Sequence, residues 1–543
     1  MSSAATTPRW GMVVDINRCV GCQTCTVACK HANDTEPGVQ WRRVLDVEVG
    51  AYPDVERLFL VVGCQHCADP PCVPVCPTGA TRQRADGLVT MDYDTCIGCG
   101  YCAVACPYQA RTIAHDKRWY YGVETPQERA VAHPERIGVA QKCTFCIERI
   151  DEGVELGRKP GEDIDYTPAC AASCVASAIT FGDFNDPQST VSRLVAERAS
   201  FQMHAELGTD PQIKYLYEVP AAPGRDPAPE DMSDEALRDP SNPLAGKLQR
   251  FWDFRAAMNF TLGGMGSGLA FLAAAAHLLG GLPERAFLGL ATTAGVLMAV
   301  GLFFVFLEIG RKLRFLYVLR RPQTSWMTRE TYFVALFYPA LVLDWLWPSA
   351  PLHALIGIAG LGFLVCQARI LYAGKGIPAW RAPLIPWMLA ATGLLEATGL
   401  YAAAHALYPG AVPFGGGFAA LGMLVALATG GLWIGYRLSA RRNGIPPLAR
   451  DAINRVAPYV TLLGHAVPLA AFALIAGGTG GPGMAAIAGI GAVLGGVLWK
   501  FTVITRASYQ QGFALPRIPQ RGSGKRAAPP RLNLASLAGR HPN

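Results

Sequence analysis

Apolar and polar positions divide this chain into two unlike halves. Residues 1–250 are mixed and charged, whereas residues 251–510 are dominated by Ala, Gly, Leu, Val and Phe, with charges confined to short stretches. Eight apolar segments in the second half approach the ~20 residues that cross a bilayer. They run roughly over 257–280, 286–308, 332–349, 352–373, 384–407, 416–438, 456–478 and 483–505. Their length, Gly-rich interiors and polar breaks argue against a soluble helix bundle. The third is short and leans on aromatic ends at Tyr332 and Trp347, while the fifth carries Glu396 and the seventh Pro468.

Charge then orients these segments. Arg311, Lys312, Arg314, Arg320, Arg321 and Arg329 fall between the second and third, and Lys375 and Arg381 between the fourth and fifth. Arg437, Arg441, Arg442, Arg450 and Arg455 flank the sixth-to-seventh connection, and Arg506, Arg517, Arg521, Lys525 and Arg526 follow the eighth. The alternate connections hold only Arg285. With eight crossings, the basic loops and both termini share one side, which the positive-inside rule assigns to the cytoplasm of a prokaryotic inner membrane. The net charge of +7 therefore reads as membrane-flanking charge, not as a nucleic-acid surface.

The first half shows short β-like runs, such as Leu58–Val62 and Leu88–Met91, punctuated by Gly and Pro turns. Residues 219–250 form a linker, rich in Pro, Ala, Asp and Glu up to residue 246, and residues 511–543 read as a basic tail. The expected fold is an α+β tandem ferredoxin-like iron–sulfur domain over 1–218, then an all-α eight-helix transmembrane bundle over 251–510.

Cysteine spacing carries the chemistry. Sixteen of the seventeen cysteines lie before residue 175, in four groups of four. They are Cys19, Cys22, Cys25, Cys29; Cys64, Cys67, Cys72, Cys76; Cys96, Cys99, Cys102, Cys106; and Cys143, Cys146, Cys170, Cys174. Three thiolates on a tight loop grip one cubane, and the fourth reaches a second cluster. Four [4Fe–4S] clusters follow, with no cysteine left over. Groups two and three form an inner module, and groups one and four an outer module around it. Crossing of the last cysteine in each group predicts the sets 19/22/25/174, 143/146/170/29, 64/67/72/106 and 96/99/102/76. Disulfides need an oxidising compartment, and residues 1–20 show neither a signal-type apolar stretch nor a twin-arginine pair. Structural zinc prefers two pairs per site, which these triplets do not supply.

The stretches CQHCADPPCVPVCPTGA (64–80), DGLVTMDYDTCIGCGYCAVACPYQAR (86–111), KCTFCIERI (142–150) and FGDFNDPQS (181–189) resemble the DmsB-type electron-transfer subunits of molybdopterin oxidoreductases of the dimethyl sulfoxide reductase family. TSWMTRE (324–330) and YQQGFALPRIP (509–519) are similar to signatures of DmsC/NrfD-type quinone-reactive membrane anchors. The resemblance implies a molybdopterin-containing catalytic partner subunit, an outer module facing that partner, and an inner module facing the membrane. Two departures stand out. The fourth group lacks the Pro that often follows its last Cys, and Cys102 occupies a position where some relatives have Trp and a three-iron cluster.

At the membrane, quinone is the expected transient acceptor or donor. A quinone pocket needs an apolar cleft with a few proton-exchanging groups, and ionisable residues in or beside spans are its candidates. These are Glu308, Arg329, Glu330, Arg369 and His465. By the resemblance, Glu308 falls where some anchors have a quinol-linked His, and Glu330 falls on an acidic residue of that site. Glu396 is either a proton-path residue or a paired structural charge. Haem is not expected: His277, His353 and His405 lie near the opposite face, and His465 stands alone. Cys366 reads as a core residue.

The chain is thus expected to be a non-catalytic electron-transfer and anchor subunit between a molybdopterin enzyme and membrane quinone. Electrons from sulfite or a similar donor would enter the quinone pool. Quinol-driven reduction of a sulfur compound or an S- or N-oxide, and redox-coupled proton translocation, are the alternatives.

Overall fold

The computed structural model describes residues 7–51, 54–217 and 233–515. Residues 219–232 of the linker and 516–543 of the basic tail lie outside these residues.

The cysteine-rich half is built from short strands and loops. A four-stranded sheet runs in the order Ile179–Asp183, Trp10–Asp15, Ile213–Leu216 and Ser200–Phe201. Trp10–Asp15 is its buried centre, antiparallel to the first strand and parallel to Ile213–Leu216. A long hairpin pairs Arg42–Ala51 with Asp54–Gly63, and two small hairpins support the inner cysteine groups.

The helices here explain the cysteine spacing. Gln23 at φ 62° and Gly100 at φ 73° adopt the left-handed conformation just before the helices Thr24–Ala32 and Tyr101–Ala105. This reversal closes the loop holding the first two cysteines and sets Cys25 or Cys102 in the first helical turn. Cys29 or Cys106 then falls about one turn later, facing away from the loop.

The second half contains eight long helices among the described residues: α1 Phe254–Leu278, α2 Glu284–Glu308, α3 Trp326–Leu346, α4 Ala350–Tyr372, α5 Ile385–Leu407, α6 Gly416–Ser439, α7 Pro447–Ala476 and α8 Pro482–Arg506. Six of them, all but α3 and α5, are long and apolar enough to cross a membrane. Two begin well before the apolar pattern does. The α3 helix starts six residues early because Ser325 and Thr328 anchor its first turn to the carbonyls of Val75 and Pro77. The α7 helix starts at Pro447 with an amphipathic turn that the hydropathy pattern hides.

The iron–sulfur half sits on the end of the bundle that carries the basic loops. Arg314 donates to the Tyr93 carbonyl at 2.7 Å, and the Arg311 amide donates to Ile97 at 3.0 Å. The Gly376 amide reaches the Val104 carbonyl at 3.0 Å. Several arginines read from sequence as membrane-flanking charges therefore also dock the two halves. The end of α8 continues as a strap: Gln511 accepts from Gln109 through its carbonyl and from Arg381 through its side chain, and Gly512 accepts from His204.

Candidate functional site: a cysteine relay ending at a buried acidic pocket

Folding gathers the sixteen cysteines into four sets. Cys19, Cys22, Cys25 and Cys174 line one cavity of about 320 Å³, at the protein surface, with Cys22 exposed. Cys29 lies among Cys143, Cys146 and Cys170. Cys106 lies with Cys64, Cys67 and Cys72. Cys76, Cys96, Cys99 and Cys102 line a cavity of about 300 Å³. These sets coincide with those expected from crossing of the last cysteine. Among the described residues, no group of three His, Cys, Asp or Glu is arranged to hold a single metal ion. Each set instead brings four thiols together, around a cavity in the first and fourth sets, a donor set and spacing that fit a polynuclear iron–sulfur centre.

The sets form a line. Cys25 neighbours Cys170, Cys143 neighbours Cys64, and Cys102 neighbours Cys72. Three buried cations flank this line. Arg42 is 1% exposed beside the thiols of Cys29, Cys143 and Cys170, and its Nε and Nη1 have no hydrogen-bond partner. Arg111 donates to Cys72 Sγ at 3.0 Å. The Lys142 ammonium donates to the Cys143 and Val89 carbonyls. Burial pushes the Cys102 and Cys106 thiols up to about 12, so negative sulfur here depends on positive neighbours such as Arg111. Buried cations beside thiols, Arg42 with unpartnered N–H groups among them, are what an anionic centre would compensate. None of the three was singled out from sequence, although Arg111 and Lys142 end or begin motifs already quoted.

The fourth set opens onto the membrane half. Cys99, Trp252, Asn259, Glu308, Met327 and Glu330 all line one cavity of about 460 Å³. Trp252 Nε1 donates to the Cys99 carbonyl at 2.9 Å, and its ring stacks against Trp380 at 5.6 Å. Glu308 Oε1 accepts from the Asp253 amide at 3.4 Å, and Asp253 is half exposed in an ion pair with Arg255. Glu330 is buried beside the Gln367 amide, and its Oε1 has no partner. Gln367 Nε2 donates to the Asn259 carbonyl at 2.9 Å.

The other candidates fall elsewhere. Arg329 donates to the Pro322 and Gln323 carbonyls and, like Arg369, lies over the Trp326 ring. Arg329 lines a second, wholly apolar-walled cleft with Cys366. His465, on a π-helical turn of α7, packs against Gly430 and lines neither cavity. Glu396 is paired with Lys500 at 2.6 Å, both side chains fully buried. At the far end, His277 and His353 meet edge to face at 4.5 Å, and His353 Nε2 lies 3.0 Å from Asp344.

Residues 55–120 match the family described as "4Fe-4S dicluster domain". The putative iron–sulfur subunit of a dimethyl sulfoxide reductase from Halobacterium salinarum is 40% identical, over 38% of this chain and 78% of its own length. A sulfite dehydrogenase subunit from Allochromatium vinosum is 38% identical, over 38% of this chain and 81% of its own. This chain belongs to the DmsB-type family of iron–sulfur electron-transfer subunits of molybdopterin oxidoreductases. The iron–sulfur cluster-binding subunit of menaquinone reductase from Nitratidesulfovibrio vulgaris is a further DmsB-type relative, 36% identical over 38% of this chain and 88% of its own. These likenesses cover the N-terminal half only. The apolar helices that follow fit an NrfD-type anchor, here on the same polypeptide as the DmsB-type domain.

Proposed function

We propose that this chain carries electrons between a molybdopterin catalytic subunit and membrane quinone, through four [4Fe–4S] clusters held by the four cysteine sets. The observation that carries this reading is the shared cavity of Cys99, Glu308 and Glu330. It joins the innermost thiols to two buried carboxyls inside an apolar wall, the composition a quinone head group requires. Bound clusters supply one-electron steps, while quinone chemistry needs two electrons and two protons. Glu308 and Glu330 are the groups that hold or release those protons. Glu308 communicates with solvent past Asp253, and Glu330 faces the bundle interior. Arg329, which lines the second cleft, is assigned to the quinone tail, with Arg369 beside it over the Trp326 ring, while His465 lines neither cavity and is given no contact with the quinone.

The exposed set at Cys22 is assigned to the catalytic partner, with valines Val20, Val27 and Val175 exposed around it. The division 1–218, 219–250, 251–510 and 511–543 is retained, with all eight helices crossing the inner membrane and the iron–sulfur domain in the cytoplasm. A sulfite-like donor feeding the quinone pool suits that orientation, and is favoured by the sulfite dehydrogenase likeness. The test is anaerobic co-purification of the membrane complex, with substrates of the partner assayed for quinone reduction. Reduction of a quinone analogue by sulfite supports the reading. Quinol oxidation linked to an S- or N-oxide would reverse the direction, and no quinone dependence would overturn it.

A further inference from the structure

The acidic pocket does not end at Glu330. The Gln367 amide lies beside the Glu330 carboxyl and reaches towards α1, where the backbone is stripped of side chain at Gly264. A Cβ on Gly264 would stand 2.9 Å from Lys500 Nζ and 3.4 Å from Gln367 Oε1, so the ammonium and the amide face one gap. Lys500 in turn touches Glu396 Oε2 at 2.6 Å. A side chain at Gly496 would overlap the Glu396 carboxyl. Glycines thus stand where polar groups pass through an otherwise apolar bundle.

A purely structural ion pair would close on itself, since each buried polar atom left alone is costly. This one does not close. Glu330 Oε1 and Asn259 Oδ1 at the pocket, and Glu396 Oε1 beyond its lining, are all buried without a hydrogen-bond partner. We propose that Lys500 and Glu396 form an internal proton acceptor for the pocket, taking one of the two protons that a bound quinol releases.

This inference rests on the quinone reading above. A cluster held by Cys76, Cys96, Cys99 and Cys102 would take up the two electrons of a bound quinol one at a time, and the chain's own groups take its two protons. One proton leaves past Glu308 and Asp253 to solvent. The other breaks from the quinol oxygen to Glu330. Lys500 passes a proton to Glu396 and takes its replacement from Glu330, which returns to its carboxylate. The net change is a carboxylic acid at Glu396 beside an ammonium that remains charged. Quinone reduction runs the same exchange backwards, so charge balances in either direction.

Redox-induced infrared difference spectroscopy on the full complex in lipid, with a menaquinone analogue, tests this. Oxidising the bound quinol should bring up a carboxylic C=O band that shifts in D2O, is lost in Glu396→Gln and is lost in Lys500→Met. Lys500→Arg should restore it. Should Glu396→Gln fail to accumulate, Glu396→Asp should keep the band but move it. A band unchanged in these variants, or absent from the wild type while quinone still exchanges electrons with the clusters, overturns the relay alone. Failure of quinone to exchange electrons at all overturns the quinone reading instead.

Discussion

Trp252 hands its indole N–H to the carbonyl of Cys99 at 2.9 Å, and this bond joins the innermost cysteine loop to the first turn of the membrane half. The ring lines the acidic cavity and also meets Tyr101 and Trp380. Trp252→Phe keeps most of the packing and removes the donor, costing about 1 kcal/mol. In an anaerobic EPR redox titration, the spectrum of one cluster should change and the other three should not. Changes spread over all four would mean that the bond has no local role.

Arg111 stands between the two inner thiol sets as a buried cation. Removing a charge about 8 Å from a centre, at an effective dielectric of about 20, changes its energy by about 2 kcal/mol, or roughly 90 mV for a one-electron couple. The sign follows from reduction adding negative charge, which the guanidinium favours. Arg111→Met should therefore lower the midpoint potentials of the two inner clusters, read by the same titration. An unchanged or raised potential contradicts the assignment.

Glu308→Gln and Glu330→Gln remove the proton-exchanging groups and keep their shape. Loss of a positioned acid or base costs on the order of 10²-fold or more in turnover. Quinone-dependent turnover should fall by that order in each variant, while dithionite still reduces every cluster. Parallel loss of cluster content would point to a folding defect instead.

The α8 strap and the linker should differ in importance. Arg381 is partly buried and bonds Gln511 at 2.7 Å, so Arg381→Ala should cost about 1.5–3 kcal/mol. Arg238 makes an exposed, solvent-screened ion pair with Asp451, and Arg238→Ala should cost less. Thermal unfolding of the two variants side by side checks the ranking, and equal losses would contradict it.

The cysteine sets were legible because ligand spacing is set by local loop geometry, and the left-handed residues at 23 and 100 are consequences of that spacing. Glu308 and Glu330 were two of five candidates read near one side of the membrane, and depth alone did not separate them from Arg329, Arg369 and His465. Lys500 sat in plain view inside the eighth apolar segment, but only α5 packing against α8 reveals that it answers Glu396. Asn259 and Gln367 carry no charge and so did not stand out among the ionisable residues of the apolar segments. Helices α3 and α7 outran their apolar segments because their first turns are held by docking and amphipathic packing, which periodicity of apolar residues does not report.

In the proposed relay, electrons pass from the surface thiols at Cys22 to the pocket at Glu330 through one unbroken line. Anaerobic, dithionite-reduced protein, freed of excess reductant, can be mixed with a menaquinone analogue and freeze-quenched for EPR. The signals of four cubanes, about sixteen iron atoms per chain, should all disappear on reoxidation by the quinone. Clusters that stay reduced in its presence, or a chain holding far less iron, would contradict it.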